Sequence, residues 1–296
     1  MQLVFLGTSC MTPTKERNHT ATLLLYEDEG ILVDCGEGTQ RQIKMADIKL
    51  TKITKILISH WHGDHVLGLP GLIQSLATSD YSKTLEIYGP TGTRQRVEDM
   101  MRPYVFYAKL DFKVFDATPG IVLDAEKFYI EAKELEHGIL TLGYNFIEKN
   151  RRKINLAFIK KIGIPEGPIL GKLQDGKSVE WKGRKITPEE ATHVIQGKKI
   201  TFISDTVLTK NCYELARDAD LLVCEAAYTS GLEEKAIEYK HMTAKQAALI
   251  ASQSNVKKAI LTHFSARYKD LAEIEDDAKS VFPNVSCAFD LMKIKL

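Results

Sequence analysis

Apolar positions along the chain fall into short runs whose period keeps changing. The runs "QLVFLG", "TATLLLYE" and "GILVDCG" are β-rich and separated by turn residues, which predicts three strands. "TQRQIKMADI" has helical spacing, and "KITKILISH" predicts a buried strand that stops at a histidine cluster. "VLGLPGLIQSLATSD" predicts a helix with Pro70 and Gly71 in its first turns or at a kink. "LEIYGP" follows as a strand and "GTRQRVEDMMRPY" as a helix. "FKVFDA", "KFYIEAKELEH" and "LTLGYNFIEK" predict a β-meander. Between about residues 148 and 198 the texture shifts to Lys, Arg, Gly and Pro with isolated apolar residues. Such a stretch is expected to be a protruding insertion without a core of its own. Alternation then resumes with "KKITFISDT", "DLLVCEA" and "KKAILTH" as strands. "NCYELARDA", "TAKQAALIASQS" and "LAEIEDDAKSVF" are the helices between them, and "VSCAFDLMKIKL" is one closing strand.

Helices interleaved with hairpins and crossovers predict an α/β fold. Two mixed sheets would pack face to face with helices outside, a four-layer αββα sandwich. One domain over 1–296 is expected, carrying a flexible basic arm at about 148–198. A doubly wound nucleotide fold would need a Gly-rich loop after the first strand, and "FLGTSCMTPT" has neither GxGxxG nor GxxxxGK[ST].

Composition narrows the classes. Apolar residues make up 44% of 296, enough for a sizeable core. The net charge of +1 excludes a global basic field, so nucleic-acid binding must rest on local patches. No apolar run approaches the roughly 20 residues that span a bilayer, so no membrane partner is expected. The start has no secretory pattern. Five scattered cysteines without a CxxC pair point to reduced thiols and a cytoplasmic location.

Histidine is where the chain is unusual. Of eight histidines, His60, His62 and His65 share six positions with Asp64. One zinc takes three or four ligands, so four ligand types on one segment can serve two metals about 3.5–4 Å apart. Gly63 would permit the tight turn between the two pairs. Further donors end predicted strands: His137, Asp205 and His263. Asp205 suits a bridging role.

HxHxDH followed by distal His, Asp and His resembles the metallo-β-lactamase superfamily. That resemblance implies one zinc on His60, His62 and His137, a second on Asp64, His65 and His263, and Asp205 between them. Mn(2+) or Fe(2+) are substitutes such ligands tolerate. Three further stretches resemble the ribonuclease Z family. "PTKERN" matches its PxKxRN loop. "KNRRKINLAFIKK", with six cations and no acid, together with "IPEGPILGKL", is similar to its Gly/Pro-containing arm. "CEAAY" and "YKHMTAKQAA" are similar to its His-Glu-Ala-Thr and His-Ser-Thr stretches, with Cys224 and Met242 as departures.

The resemblance implies a zinc endoribonuclease that removes the 3′ trailer of precursor transfer RNA. It leaves a 3′-OH on the transfer RNA and a 5′-phosphate on the trailer. Asp64 is then the general base, and His241 the acid held by Glu225. Lys15, Arg17 and Asn18 would meet the RNA 3′ end, and Arg151, Arg152 and Lys153 the transfer RNA body. A homodimer is also implied. "HFSARY", which starts at His263, resembles the family without a clear further role. His19 and His193 stay unassigned, the first as a strand start and the second as exposed. Two alternatives stand beside this reading. A small-molecule thioester, lactam or phosphodiester hydrolase would not need the arm or the loop. A non-catalytic RNA-binding protein would be expected to have lost a ligand, and all seven are present.

Overall fold

A computed structural model of the chain describes residues 1–105 and 110–296. It divides into two compact units. The larger comprises residues 1–124, 130–146 and 199–296.

The larger unit is built on two seven-stranded sheets. The first runs, in spatial order, Lys293–Lys295, Gln2–Gly7, Ala21–Tyr26, Glu29–Val33, Ile53–Leu57, Leu85–Pro90 and Phe112–Ala117. Its early hairpins are antiparallel, and its pairs from Glu29–Val33 onward are parallel. The second runs Val285–Cys287, Ala259–Thr262, Leu221–Glu225, Lys199–Ile203, Leu140–Glu148, Phe128–Glu136 and Gly120–Asp124. In it the four strands from Val285–Cys287 to Lys199–Ile203 are parallel neighbours.

Alternation along each strand explains the layers. In Gln2–Gly7, Val4 and Leu6 pack with Ile43, Val66, Leu69, Leu72 and Leu76 from helices Thr39–Met45, Gly63–Val66 and Leu69–Ala77. The intervening Leu3 and Phe5 are equally buried, so both faces are covered and the strand reads as one apolar run. In the second sheet, Leu222, Cys224 and Leu261 pack with Leu215, Ala247, Ile250 and Ile274 from helices Lys210–Ala216, Ala244–Gln253 and Ala272–Lys279. The sheets meet through an edge-on contact of Tyr26 with Phe146 at 5.2 Å. Tyr144 Oη also donates to Ile58 O at 2.7 Å. The αββα sandwich is therefore present.

Several elements differ from the sequence expectation. "FKVFDA" does not join a meander: it extends the first sheet parallel to Leu85–Pro90. The closing segment is two strands, not one. Val285–Cys287 ends the second sheet, and Lys293–Lys295 crosses to pair with Gln2–Val4 in the first. A period-two reading cannot see a strand change sheets at a turn. The "VLGLPG" helix starts earlier, at Gly63, and restarts at Leu69 with Pro70 in its first turn, where the missing N–H costs nothing.

The smaller unit comprises residues 125–129 and 147–198. It was expected to lack a core, yet Ile159, Ile164, Leu173, Val179, Ile186 and Ala191 form one. These side chains come from helices Leu156–Ile162 and Pro168–Gln174, the antiparallel hairpin Val179–Trp181/Arg184–Ile186, and the turns around them. They lie too far apart in sequence to show a period. Asn155 caps the first helix, and Thr187 with Glu190 forms a capping box on the short helix Pro188–Ala191. Arg151–Ile154 pairs antiparallel with Thr192–Ile195.

Candidate active site

Every element that feeds the site does so at a strand end. His60 and His62 follow Ile53–Leu57, and Asp64 and His65 open the helix after it. His137 follows Phe128–Glu136. In the second sheet, Ile203 pairs with Cys224 and Glu225 with Thr262. That register sets Asp205, Glu225 and His263 on one edge. The backbone at His263 takes φ +60°, a conformation rare outside glycine and enriched where function demands it. Gly63 is helical and has no positive φ, so the tight-turn role expected for it is not used.

The donor atoms converge. His62 Nδ1 lies 3.0 Å from His60 Nε2 and 3.2 Å from His137 Nε2. Asp205 Oδ2 lies 3.7 Å from His60 Nε2 and 3.5 Å from His137 Nε2. Around a tetrahedral zinc with ligand bonds of about 2.0–2.1 Å, donors stand roughly 3.3 Å apart, so this quartet suits a cation. On the other side, His65 Nε2 is 3.6 Å from Asp64 Oδ2 and 3.4 Å from Asp205 Oδ2. His263 Nε2 is 3.1 Å from Asp205 Oδ1. Asp64, His65 and His263 form a second donor group. His65 Nε2 and both nitrogens of His263 are buried and make no well-aligned hydrogen bond, though Asp205 stands within ion-pair distance of both Nε2 atoms, an arrangement that is costly unless an ion completes it. The residues present therefore fit a pair of divalent cations.

The outward-facing nitrogens of His60, His65 and His137 are held. His65 Nδ1 lies 2.8 Å from Asp34 Oδ2. Asp34 also accepts from Ser59 N and Ser59 Oγ, and Ser59 Oγ is 2.9 Å from His60 Nδ1. His137 Nδ1 donates to Lys240 O at 2.7 Å. Such partners fix the tautomer and aim Nε2 at the metal. The sequence reading missed Asp34. Its only signal was a carboxylate at the end of the buried run "GILVDCG".

Charge follows this geometry. Burial disfavours an ionised Asp205, but His263, His65 and His241 outweigh it and hold its carboxyl well below the usual range. Burial likewise opposes a charged His65, yet Asp205 and Asp34 push its pKa up to about 10. His60 moves the opposite way, because burial and the neighbouring His65 both disfavour its cation.

Beside this cluster, His241 Nδ1 sits 3.1 Å from each oxygen of fully buried Glu225. Glu225 Oε1 also accepts from Thr206 N at 2.7 Å. Against burial, Glu225 and Asp205 raise the His241 pKa to about 11. Its Nε2 lies 4.0 Å from the buried Cys10 Sγ, a neighbour the sequence reading did not single out. Cys224, the departure before Glu225, packs into the core, as does Met242.

The expected RNA contacts divide. Lys15 is exposed. Arg17 is not: it is 7% exposed, and its guanidinium donates to Tyr268 O at 2.7 Å and Ser265 O at 3.3 Å. Instead of meeting solvent, it ties "PTKERN" to the loop after His263, which gives "HFSARY" a structural role. The Asn18 side chain donates to Glu37 O, and its backbone N–H to Asp290. In the smaller unit Arg151 and Lys153 are exposed, whereas Arg152 pairs with Glu189 at 2.9 Å. His193 is exposed, while His19 is buried.

A ribonuclease Z from Methanothermobacter thermautotrophicus is 39% identical over 297 residues, covering 100% of this chain and 97% of its own. One from Listeria welshimeri is 42% identical and covers 98% of each. The crystal structure of the short form of human tRNase Z matches with TM-score 0.74 at 29% identity, covering 100% of this chain and 99% of its own. A metallo-β-lactamase fold protein from Bacillus subtilis, 17% identical, shares the fold with TM-score 0.71, covering 99% and 98%. A family model described as anti-Pycsar protein Apyc1 matches residues 1–105, which hold the clustered motif but none of His137, Asp205 and His263. Likeness of this degree over almost the full length of the relatives shows that the chain belongs to the ribonuclease Z family, on the metallo-β-lactamase fold.

Proposed function

We propose that this chain is a zinc-dependent endonuclease that cuts precursor transfer RNA after the mature 3′ end. The observation that carries the reading is the buried Glu225–His241 pair beside a seven-residue donor set, in a chain of this family. One cation would be held by His60, His62 and His137, the other by Asp64, His65 and His263, with Asp205 shared. Manganese or iron would fit the same donors. When bound, the two ions activate a water near neutral pH and offset the charge that grows on the phosphate.

The protein's own groups supply the rest. Asp64, with Oδ2 fixed by the Met11 N–H at 2.8 Å, takes the proton of the attacking water. The departing ribose 3′ oxygen is a poor leaving group until protonated. His241 gives it a proton from Nε2, while Glu225 holds the Nδ1 proton and favours the charged imidazole. The products are a transfer RNA with a 3′-OH and a trailer with a 5′-phosphate. Lys15, Arg151 and Lys153 are the exposed cations suited to phosphate contacts, as expected where folded RNA is read by shape and backbone. In this reading residues 148–198 form the arm that grips the transfer RNA body, and the enzyme is a cytoplasmic homodimer. Five free cysteines agree with a reducing compartment, and no described helix is long and apolar enough to cross a membrane.

The test is incubation of the purified protein with a precursor transfer RNA, mapping the cut and its end groups. A single cut leaving 3′-OH on the transfer RNA is expected. An untouched precursor, together with turnover of an aryl phosphodiester, would point to a small-molecule phosphodiesterase instead.

A further inference from the structure

His19 is buried, and the site as described so far gives it no role. Its Nε2 lies 3.1 Å from Met11 O. A carbonyl only accepts, so Nε2 carries the proton and donates. The same Met11 residue donates its N–H to Asp64 Oδ2 at 2.8 Å. The peptide frame of Met11 therefore joins His19 to Asp64. Met11 has φ +57°, a conformation unfavourable for a side chain of this kind, and its side chain is 69% exposed. Its side chain does not pack there; the turn is closed by Thr12 N–H on Cys10 O at 2.6 Å, and the bonds to His19 and Asp64 fix the Met11 peptide on either side.

His19 is itself firmly seated. Its backbone bridges to Ser9. A Cβ on Gly36 would stand 2.5 Å from His19 Cβ and 2.5 Å from Asp64 O, so one glycine floors both residues. A Cβ on Gly7 would stand 1.8 Å from His19 O. The ring thus has little freedom, and its donor atom has a fixed target.

We propose that His19 is a positioning residue for Asp64, acting through the Met11 peptide. It rests on the reading of Asp64 as the proton acceptor. With Met11 N–H on Oδ2, the carboxylate has one orientation toward the attacking water. Without His19, the Met11 peptide loses its bond on the carbonyl side and Asp64 turns more freely.

The test compares wild type with His19→Phe, which keeps a flat ring without the donor, and His19→Gln, which restores an N–H donor. Four quantities are read: kcat and KM on precursor transfer RNA, bound metal per chain, and hydrogen exchange of the Met11 amide in the metal-free protein. For His19→Phe, kcat is expected to fall about five- to tenfold, the size of one lost hydrogen bond, with KM and metal content within about twofold. Exchange at Met11 should quicken by a similar factor, and His19→Gln should recover most of both. An unchanged kcat and exchange rate in His19→Phe would overturn the proposal. So would a His19→Gln variant as impaired as His19→Phe, since that marks a packing role. Should wild type leave precursor transfer RNA uncut, the functional reading fails, while the amide exchange still reports on His19.

Discussion

The imidazole of His241 presents Nδ1 to both carboxylate oxygens of Glu225 at 3.1 Å, which leaves Nε2 as the only ring atom able to hand over a proton. If that is its task, the cost of losing His241 depends on the leaving group. His241→Ala should slow precursor transfer RNA cleavage by about 10²–10⁴-fold, the range for a lost general acid. The same variant should lose much less on an aryl phosphodiester whose phenolate departs unaided. Glu225→Gln should fall between wild type and His241→Ala. Equal losses on both substrates would assign His241 to metal or fold integrity.

Arg17 and Lys15 sit two positions apart but should behave differently. Lys15→Ala is expected to raise KM and to reduce the slope of log affinity against log salt by about one, as for a lost phosphate contact. Arg17→Ala should leave that slope unchanged. It should instead lower the melting temperature, because the Tyr268 carbonyl loses its buried donor and the Ser265 carbonyl keeps only the Tyr268 N–H. Salt-titrated binding and thermal melts, run side by side, decide the matter.

That contrast marks the limit of what the primary structure discloses. Residue type and spacing bring out the donor set, because His60-x-His62-x-Asp64-His65 is improbable by chance and His137, Asp205 and His263 all end β-rich runs. Direction is not written there. Arg17 reads as a surface cation until its guanidinium is seen facing two carbonyls. Asp34 is one carboxylate at the end of the strand run "GILVDCG" until its oxygens are seen on His65 and Ser59. The strand change between Cys287 and Lys293 and the core around Leu173 depend on contacts between residues distant in sequence. No local window contains such contacts.

Metal uptake should release protons. In the metal-free chain His65, with its pKa pushed to about 10, holds a proton at pH 7 that a cation on Nε2 must displace. Affinity should therefore weaken as pH falls. The same shift raises a folded-state pKa above the unfolded value of about 6.5. Its stabilisation of the metal-free protein is thus complete below about pH 6.5 and lost as pH rises through about 10. The gap in melting temperature between metal-loaded and metal-free protein should widen from pH 7 to 10. Calorimetry in buffers of differing ionisation enthalpy gives the proton count, and a count of zero at pH 7 would contradict the prediction.

Residues 151–196, the greater part of the smaller unit, can be excised. Glu148 N donates to Lys198 O at 2.9 Å, and Gly197 N to Asn150 Oδ1 at 2.9 Å, so the ends of the excursion meet and a short Gly-Ser turn can replace what lies between. Deleting residues 151–196 this way should reduce kcat/KM on precursor transfer RNA by at least about 100-fold, the expected consequence of losing several phosphate contacts. Turnover of an aryl phosphodiester should stay within about threefold, since no proposed catalytic group is removed. Equal loss of both activities would deny the segment a role in holding RNA.

The most direct test of the whole account is anomalous scattering from a crystal of the zinc-loaded protein, collected on both sides of the zinc edge. Two peaks per chain are predicted. One is bounded by His60, His62 and His137, the other by Asp64, His65 and His263, and Asp205 touches both. A single peak, or zinc bound away from these seven side chains, would contradict it.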